Sequence, residues 1–174
     1  MANTDFNVGA GVKAPRKLLR HYVNVGTKEA KIWELLGTGV EDSAIETNFE
    51  EEEVLDIYQN FSSSITGAKP TQTFEPYTVR GGSKLAFTLH EIWLNKEYEK
   101  LSQFEMLTVY SHVGDKTEGY DATIEEDCTI KFNSIGGSAY IDMPIEVKYS
   151  DKKQRGTVTF DETQTPTFVL NDAA

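Results

Sequence analysis

Apolar and polar residues alternate along most of this chain, and one stretch near the middle changes to a helical period. KLLRHYVNVG and AKIWELLG predict two strands, Lys17 to Val25 and Ala30 to Leu36, joined by a short turn at Gly26 and Thr27. Leu19, His21, Val23 and Val25 share one face of the first strand, and Trp33 and Leu35 share one of the second. GTGVEDS predicts a loop. AIETNFEEEEVLDIYQNF continues as one or two extended segments whose apolar anchors are Ile45, Phe49, Val54, Leu55 and Ile57. SSSITGAKPTQTFEPYTVRGGS is turn-rich and strand-like in pieces, with Pro70 and Pro76 at positions suited to edges or bulges. In SKLAFTLHEIWLNKEYEKL, Leu85, Leu89, Ile92 and Trp93 recur at helical spacing behind Ser83 as N-cap, predicting one helix from Lys84 to Lys100.

Alternation then returns. EMLTVYSHV is apolar on both faces and predicts a central strand. DATIEEDCTIKFN places Ile124, Cys128, Ile130 and Phe132 inward, and GSAYIDMPIEVKYS places Ala139, Ile141, Met143, Ile145, Val147 and Tyr149 on one side, with NSIGGS as the hairpin turn between them. RGTVTF and PTFVL close the chain as short strands. The pattern predicts a mainly β fold: two packed antiparallel sheets, as a sandwich or partly closed barrel, with one flanking helix. Residues 1–16, rich in Gly, Asn and Ala, predict a flexible arm, and residues 17–174 a single β domain.

Charge adds what the alternation lacks. The 174 residues carry a formal net charge of −11, which argues against a conventional nucleic-acid binder, since duplex binding rests on cations neutralising phosphates. The asymmetry is local: Ile32 to Ala68 contains no Lys or Arg, while Lys13, Arg16, Lys17 and Arg20 make the N-terminal region basic, and Lys148, Lys152, Lys153 and Arg155 a second basic segment. Successive side chains of a strand point to opposite sides, so Glu50, Glu51, Glu52 and Glu53 cannot share one face. Their segment is either solvated on both faces or has one face on a wet space. No apolar run approaches the ~20 residues that cross a bilayer, and no secretory leader precedes the first strand, which predicts synthesis in a cytoplasm. There the sequon at Asn60 would go unused.

Catalytic patterns are sparse. His90 and Glu91 begin an HExx sequence, but Leu94 stands where the second zinc ligand would be, so His90 is expected as a helix-surface histidine. The lone Cys128 has neither a disulfide partner nor metal-site spacing and is expected as a small buried residue. Glu50, Glu52 and Glu53 could supply a glycosidase-like carboxylate pair, yet four adjacent glutamates give no means of setting their pKa values apart. The expectation is no enzyme, no cofactor and no metal.

The order of segments resembles the major tail tube protein of long, non-contractile-tailed bacteriophages, particularly those of Gram-positive hosts. The resemblance rests on KLLRHYVNVGTKEAKIWELLGTGVEDSAIETNFEEEEVLDI, SITGAKPTQTFEPY, LAFTLHEIWLNKEY before FEMLTVYSHVG, and the closing DATIEEDCTIKFNSIGGSAYIDMPIEVKYSDKKQRGTVTFDETQTPTF, together about residues 17 to 168. GGSKLAFTLHEIWLN departs from the Asp-containing helix start of related chains. The resemblance implies self-association into hexameric rings that share an inner β-barrel and stack into a tube in the virion tail. Implied partners are a tape measure protein, a tail terminator and a distal tail protein, with DNA passing through unbound and no membrane involved. Lumen-facing candidates are then Glu50, Glu52 and Asp56. Glu51 and Glu53 would meet cations of a neighbour, and Glu41, Asp42 and Glu46 in the loop Gly37 to Asn48, with Lys13 and Arg16 of the arm region and Lys152, Lys153 and Arg155, are candidates for contacts between subunits or rings. The alternatives are the tube of a phage-tail-like bacteriocin or secretion apparatus, and a monomeric β-sandwich carbohydrate-binding module, for which an aromatic platform would be required.

Overall fold

A computed structural model describes residues 6–171. After a 3-10 turn at Arg16–Leu18, the elements are β1 (Leu19–Asn24), β2 (Trp33–Leu35), β3 (Ile45–Glu46), β4 (Phe49–Leu55), β5 (Phe61–Ala68), β6 (Thr71–Phe74) and α1 (Lys84–Asn95). A second 3-10 turn at Tyr98–Ser102 leads into β7 (Phe104–Asp115), β8 (Gly119–Phe132), β9 (Ile145–Lys148), β10 (Lys153–Phe160) and β11 (Pro166–Leu170). The fold is mainly β with one flanking helix, as the alternation predicts.

Strand β8 organises the molecule. Its first half pairs with β10, from Tyr120 opposite Val158 to Glu125 opposite Lys153, and its last four residues pair with β9, from Thr129 opposite Lys148 to Phe132 opposite Ile145. One layer therefore runs β2-β1-β7-β8-β10-β11 and the other β8-β9-β6-β3, all antiparallel. The handover falls where Asp127 adopts a left-handed φ of 54° and the register against β7 slips between Phe104 and Met106. An extra residue on one strand reverses which face the following side chains take. That corrects the expectation that Ile124 shares a face with Cys128 and Ile130. Ile124 packs with Tyr22, Leu107, Val109, Ala122 and Val158, while Cys128 and Ile130 pack with Val23, Phe74, Leu89, Met106, Ile145 and Val147. The first layer curls until β1 lies across from the β10–β11 hairpin, with Tyr22 and Phe160 rings 6.4 Å apart.

Helix α1 covers the larger cluster with Leu85, Ala86, Leu89 and Ile92. Ser83 caps it, its Oγ accepting from the Ala86 amide at 3.2 Å, and a second acceptor arrives from another element. Glu34 of β2 accepts from the amides of Lys84 (2.8 Å) and Leu85 (3.1 Å) and from the Ser83 hydroxyl (2.7 Å). A carboxylate at a helix N-terminus satisfies orphan donors and complements the dipole, so β2 supplies the acidic group that the helix's own first turn lacks. The helix ends at Asn95 rather than Lys100, because Lys96 takes the left-handed conformation and its amide bonds back to Ile92. Trp93, expected in the apolar face, is half exposed and stands edge-on to Phe132.

Two other expectations change. The strand Ala30 to Leu36 shrinks to three residues, because Thr27 and Asn24 hold the preceding loop through the amides of Ala30 and Ile32. The alternation from Ala139 to Tyr149 becomes strand only at Ile145: Ala139 and Ile141 are exposed, and the segment is pinned instead by a bridge between Gly136 and Asp142.

Candidate assembly surface

Beyond the paired β3 and β6, the chain continues as a second two-stranded sheet, β4 with β5, in which Phe49 lies opposite Ala68 and Leu55 opposite Phe61. Asn48, at φ 45°, turns the ribbon, its side-chain amide donating to the Lys69 carbonyl and the Thr71 hydroxyl. Every residue of β4 is exposed. At the tip, Asp56 accepts from the amides of Tyr58 and Asn60, both at 2.8 Å, and from the Asn60 side chain at 2.9 Å. These bonds, the Asn60 side chain's first, hold its carboxyl below the usual range. Beside it Ile57 is 90% and Tyr58 81% exposed.

Alternation gives this hairpin two unlike faces. Glu50, Glu52 and Val54 point one way, opposite Gly67, Ser64 and Ser62, and Glu50 pairs with Lys69. Phe49, Glu51, Glu53 and Leu55 point the other way, opposite Ala68, Ile65, Ser63 and Phe61. The second face holds four large exposed apolar side chains, Phe49, Leu55, Phe61 and Ile65, around two carboxylates. An isolated two-stranded hairpin is marginal in water, and an uncovered apolar face marks an interaction surface.

The remaining sequence candidates are scattered. Lys13 is exposed ahead of the first turn, and the Arg16 guanidinium donates to the carbonyls of Ser43 and Leu19, tying that turn to the loop that carries Glu41 and Asp42. Glu41 and Asp42 are exposed there, and Glu46 is exposed on β3 opposite Thr71. Lys152 pairs with Asp127, Lys153 with Glu125 at 3.3 Å, and Arg155 with both oxygens of Asp121 at 2.9 Å. The basic C-terminal segment is therefore engaged within its own chain.

Sequence reasoning passed over Arg80 and Lys84. They lie on the approach to α1, in a groove of about 800 Å³ lined chiefly by Val79, Phe87, Ile135, Ile141 and Met143. Neither is ion-paired among the described residues. The signal was present: RGGSK sets two cations around a helix cap, where a dipole disfavours them.

The interior is polar where the two layers meet the N-terminal turn. His21, 2% exposed, contacts the Thr108 hydroxyl through Nδ1 at 3.3 Å and meets Phe74 edge-on, while its Nε2 finds no partner among the described residues. Burial, and secondarily the Arg16 charge, lower its pKa to about 4. Tyr149 donates to Gln72 at 2.5 Å, and Gln72 donates to Ser43 at 3.0 Å. Cys128 is fully buried, its thiol pushed up to about 12 by burial. His90 is exposed on α1, and no group of three or more His, Cys, Asp or Glu side chains is placed to hold a metal ion among the described residues. An aromatic platform of the sugar-binding kind is not formed by the tryptophans: Trp33 packs beside the second cluster and Trp93 against Phe132 and Tyr98.

No protein-family model matches the chain, and no curated protein matches it in sequence. Among solved structures it is similar to a chain of the PVC sheath/tube terminator of an extracellular contractile injection system in the extended state, with a TM-score of 0.50 and 11% identity over 84% of this chain and 99% of that one. A chain of the PVC sheath-tube complex in the extended state (TM-score 0.49, 11% identity, 86% and 95% covered) and one of the anti-feeding prophage cap, a tube-terminating cap (0.49, 14%, 90% and 99%), were also found. At such identity the likeness concerns architecture. The chain shares the mainly β architecture of that sheath/tube terminator.

Proposed function

We propose that this chain is a structural protein that polymerises as stacked, hexameric rings into the tail tube of a long-tailed bacteriophage, a negatively lined conduit for DNA ejection. The observation that carries the reading is the β4–β5 hairpin, a ribbon exposed along all of β4 and most of β5, with Glu50 and Glu52 on one face and Phe49, Leu55, Phe61 and Ile65 around Glu51 and Glu53 on the other. A face of that kind needs a cover, and closed rings of identical subunits supply one while removing strand edges such as β2 and β11 from solvent. The tube-like fold supports the same role, with no catalytic duty.

A second reading is the tube of a contractile injection system or related secretion apparatus, favoured by the likeness to a sheath/tube terminator of such a particle. The two share the ring and differ in cargo. Negative-stain electron microscopy of the purified chain at rising concentration tests the common part: rings or hollow tubes are expected, and a chain monomeric at every concentration overturns it. Nucleic acid protected from nuclease inside particles built from this chain separates the first reading from the second.

A further inference from the structure

Two uncovered surfaces of this chain complement each other. The hairpin face of Phe49, Leu55, Phe61 and Ile65 surrounds Glu51 and Glu53, which have no cation partner among the described residues. The groove beside α1 offers the reverse composition: Val79, Phe87, Ile135 and Ile141 are exposed there, and Arg80 and Lys84 have no ion-pair partner among the described residues. No hairpin residue lines the groove, so the two patches are separate parts of one surface. The cations of the C-terminal segment, by contrast, are already held by Asp121, Glu125 and Asp127.

We infer that the β4–β5 hairpin of one copy docks by its Phe49–Leu55–Phe61–Ile65 face into the α1 groove of a second copy, with Arg80 and Lys84 receiving Glu51 and Glu53. This rests on the assembly reading above and names the surfaces that carry it. Apolar contact supplies the attraction, and the charge pairs set register and exclude other approaches. Because the two patches differ, the contact is head-to-tail: each copy uses its hairpin on one neighbour and its groove on another, which is how a closed ring or an open polymer grows. Glu50 and Glu52 point away from the docked face and stay in solvent.

Charge reversal tested in trans decides the matter. One variant carries Glu51→Lys with Glu53→Lys, and the other Arg80→Glu with Lys84→Glu. Arg80→Glu alone, which leaves Lys84 at the helix start unchanged, serves if the latter pair disturbs the helix. Sedimentation velocity should show wild-type chain assembling, while each variant alone needs a concentration higher by about tenfold or more, since opposed like charges at a contact cost several kcal/mol. An equimolar mixture of the two variants should assemble again, because every hairpin then meets a groove of opposite sign. Variants that assemble like wild type, or a mixture that stays dissociated, overturn the pairing and leave the tube reading standing. A wild-type chain that never assembles overturns both.

Discussion

At the scale of single residues, burial of His21 couples the stability of the fold to pH. Its imidazole is neutral in the buried site and ordinarily protonates near pH 6.5. A group whose pKa is lowered by folding contributes its stability above the unfolded value and loses it as pH falls towards the folded one, here from 6.5 to about 4. The loss across that window is about 3 kcal/mol. Denaturant melts between pH 7 and 4 should show this decline, and His21→Gln should flatten it. Glu125 works differently: burial raises its pKa, and Lys153 opposes the rise. Lys153→Met leaves the carboxylate buried and unpaired, at an expected cost of about 1–2 kcal/mol at pH 7 given how exposed the lysine is. Lowering pH towards the carboxyl's own pKa should shrink the deficit. At α1, Glu34→Gln removes a charged cap and should cost about 1 kcal/mol in thermal melts.

At the scale of elements, the hairpin and the body are separable. Among the described residues β4 and β5 pair only with each other, and the larger apolar cluster draws none of its residues from either. Phe49→Ser with Phe61→Ser should therefore leave the melting of the monomer within about 0.5 kcal/mol of wild type, as for surface positions, while reducing assembly. Elements whose period is enforced by burial on both sides were legible from sequence. EMLTVYSHV reads as central and is β7, and the start of α1 follows Ser83. What escaped were boundaries set by backbone conformation or distant partners. Nothing in NKEYEK announces that Lys96 turns left-handed, and Glu34 caps a helix fifty residues away. The Ala139–Tyr149 alternation failed at its first half because the bridge at Gly136 satisfies that backbone without a strand. Among candidate site residues, the hairpin glutamates were legible from charge. Arg80 and Lys84 were legible in RGGSK as cations flanking a helix cap but not as part of a surface, since Phe87, Ile135 and Ile141 come to lie beside them only in the fold.

At the scale of the molecule, the division of the hairpin glutamates matters most. Glu50 and Glu52 sit on the carboxylate face, and in the proposed tube they line the bore, where like charge keeps phosphates from adhering. Glu50→Gln with Glu52→Gln should leave tube formation intact by electron microscopy and slow DNA release from particles; release at the wild-type rate would remove the bore assignment. Strand β8 has a mechanical consequence of another kind. Its fourteen residues, about 46 Å at ~3.3 Å each, belong to both layers at once. Load applied to either layer is shared through one continuous backbone, with hydrogen bonds on both flanks resisting shear together. A filament built of such units would be stiff within each unit and compliant at the joints, so its bending resistance would be a property of the contacts between copies.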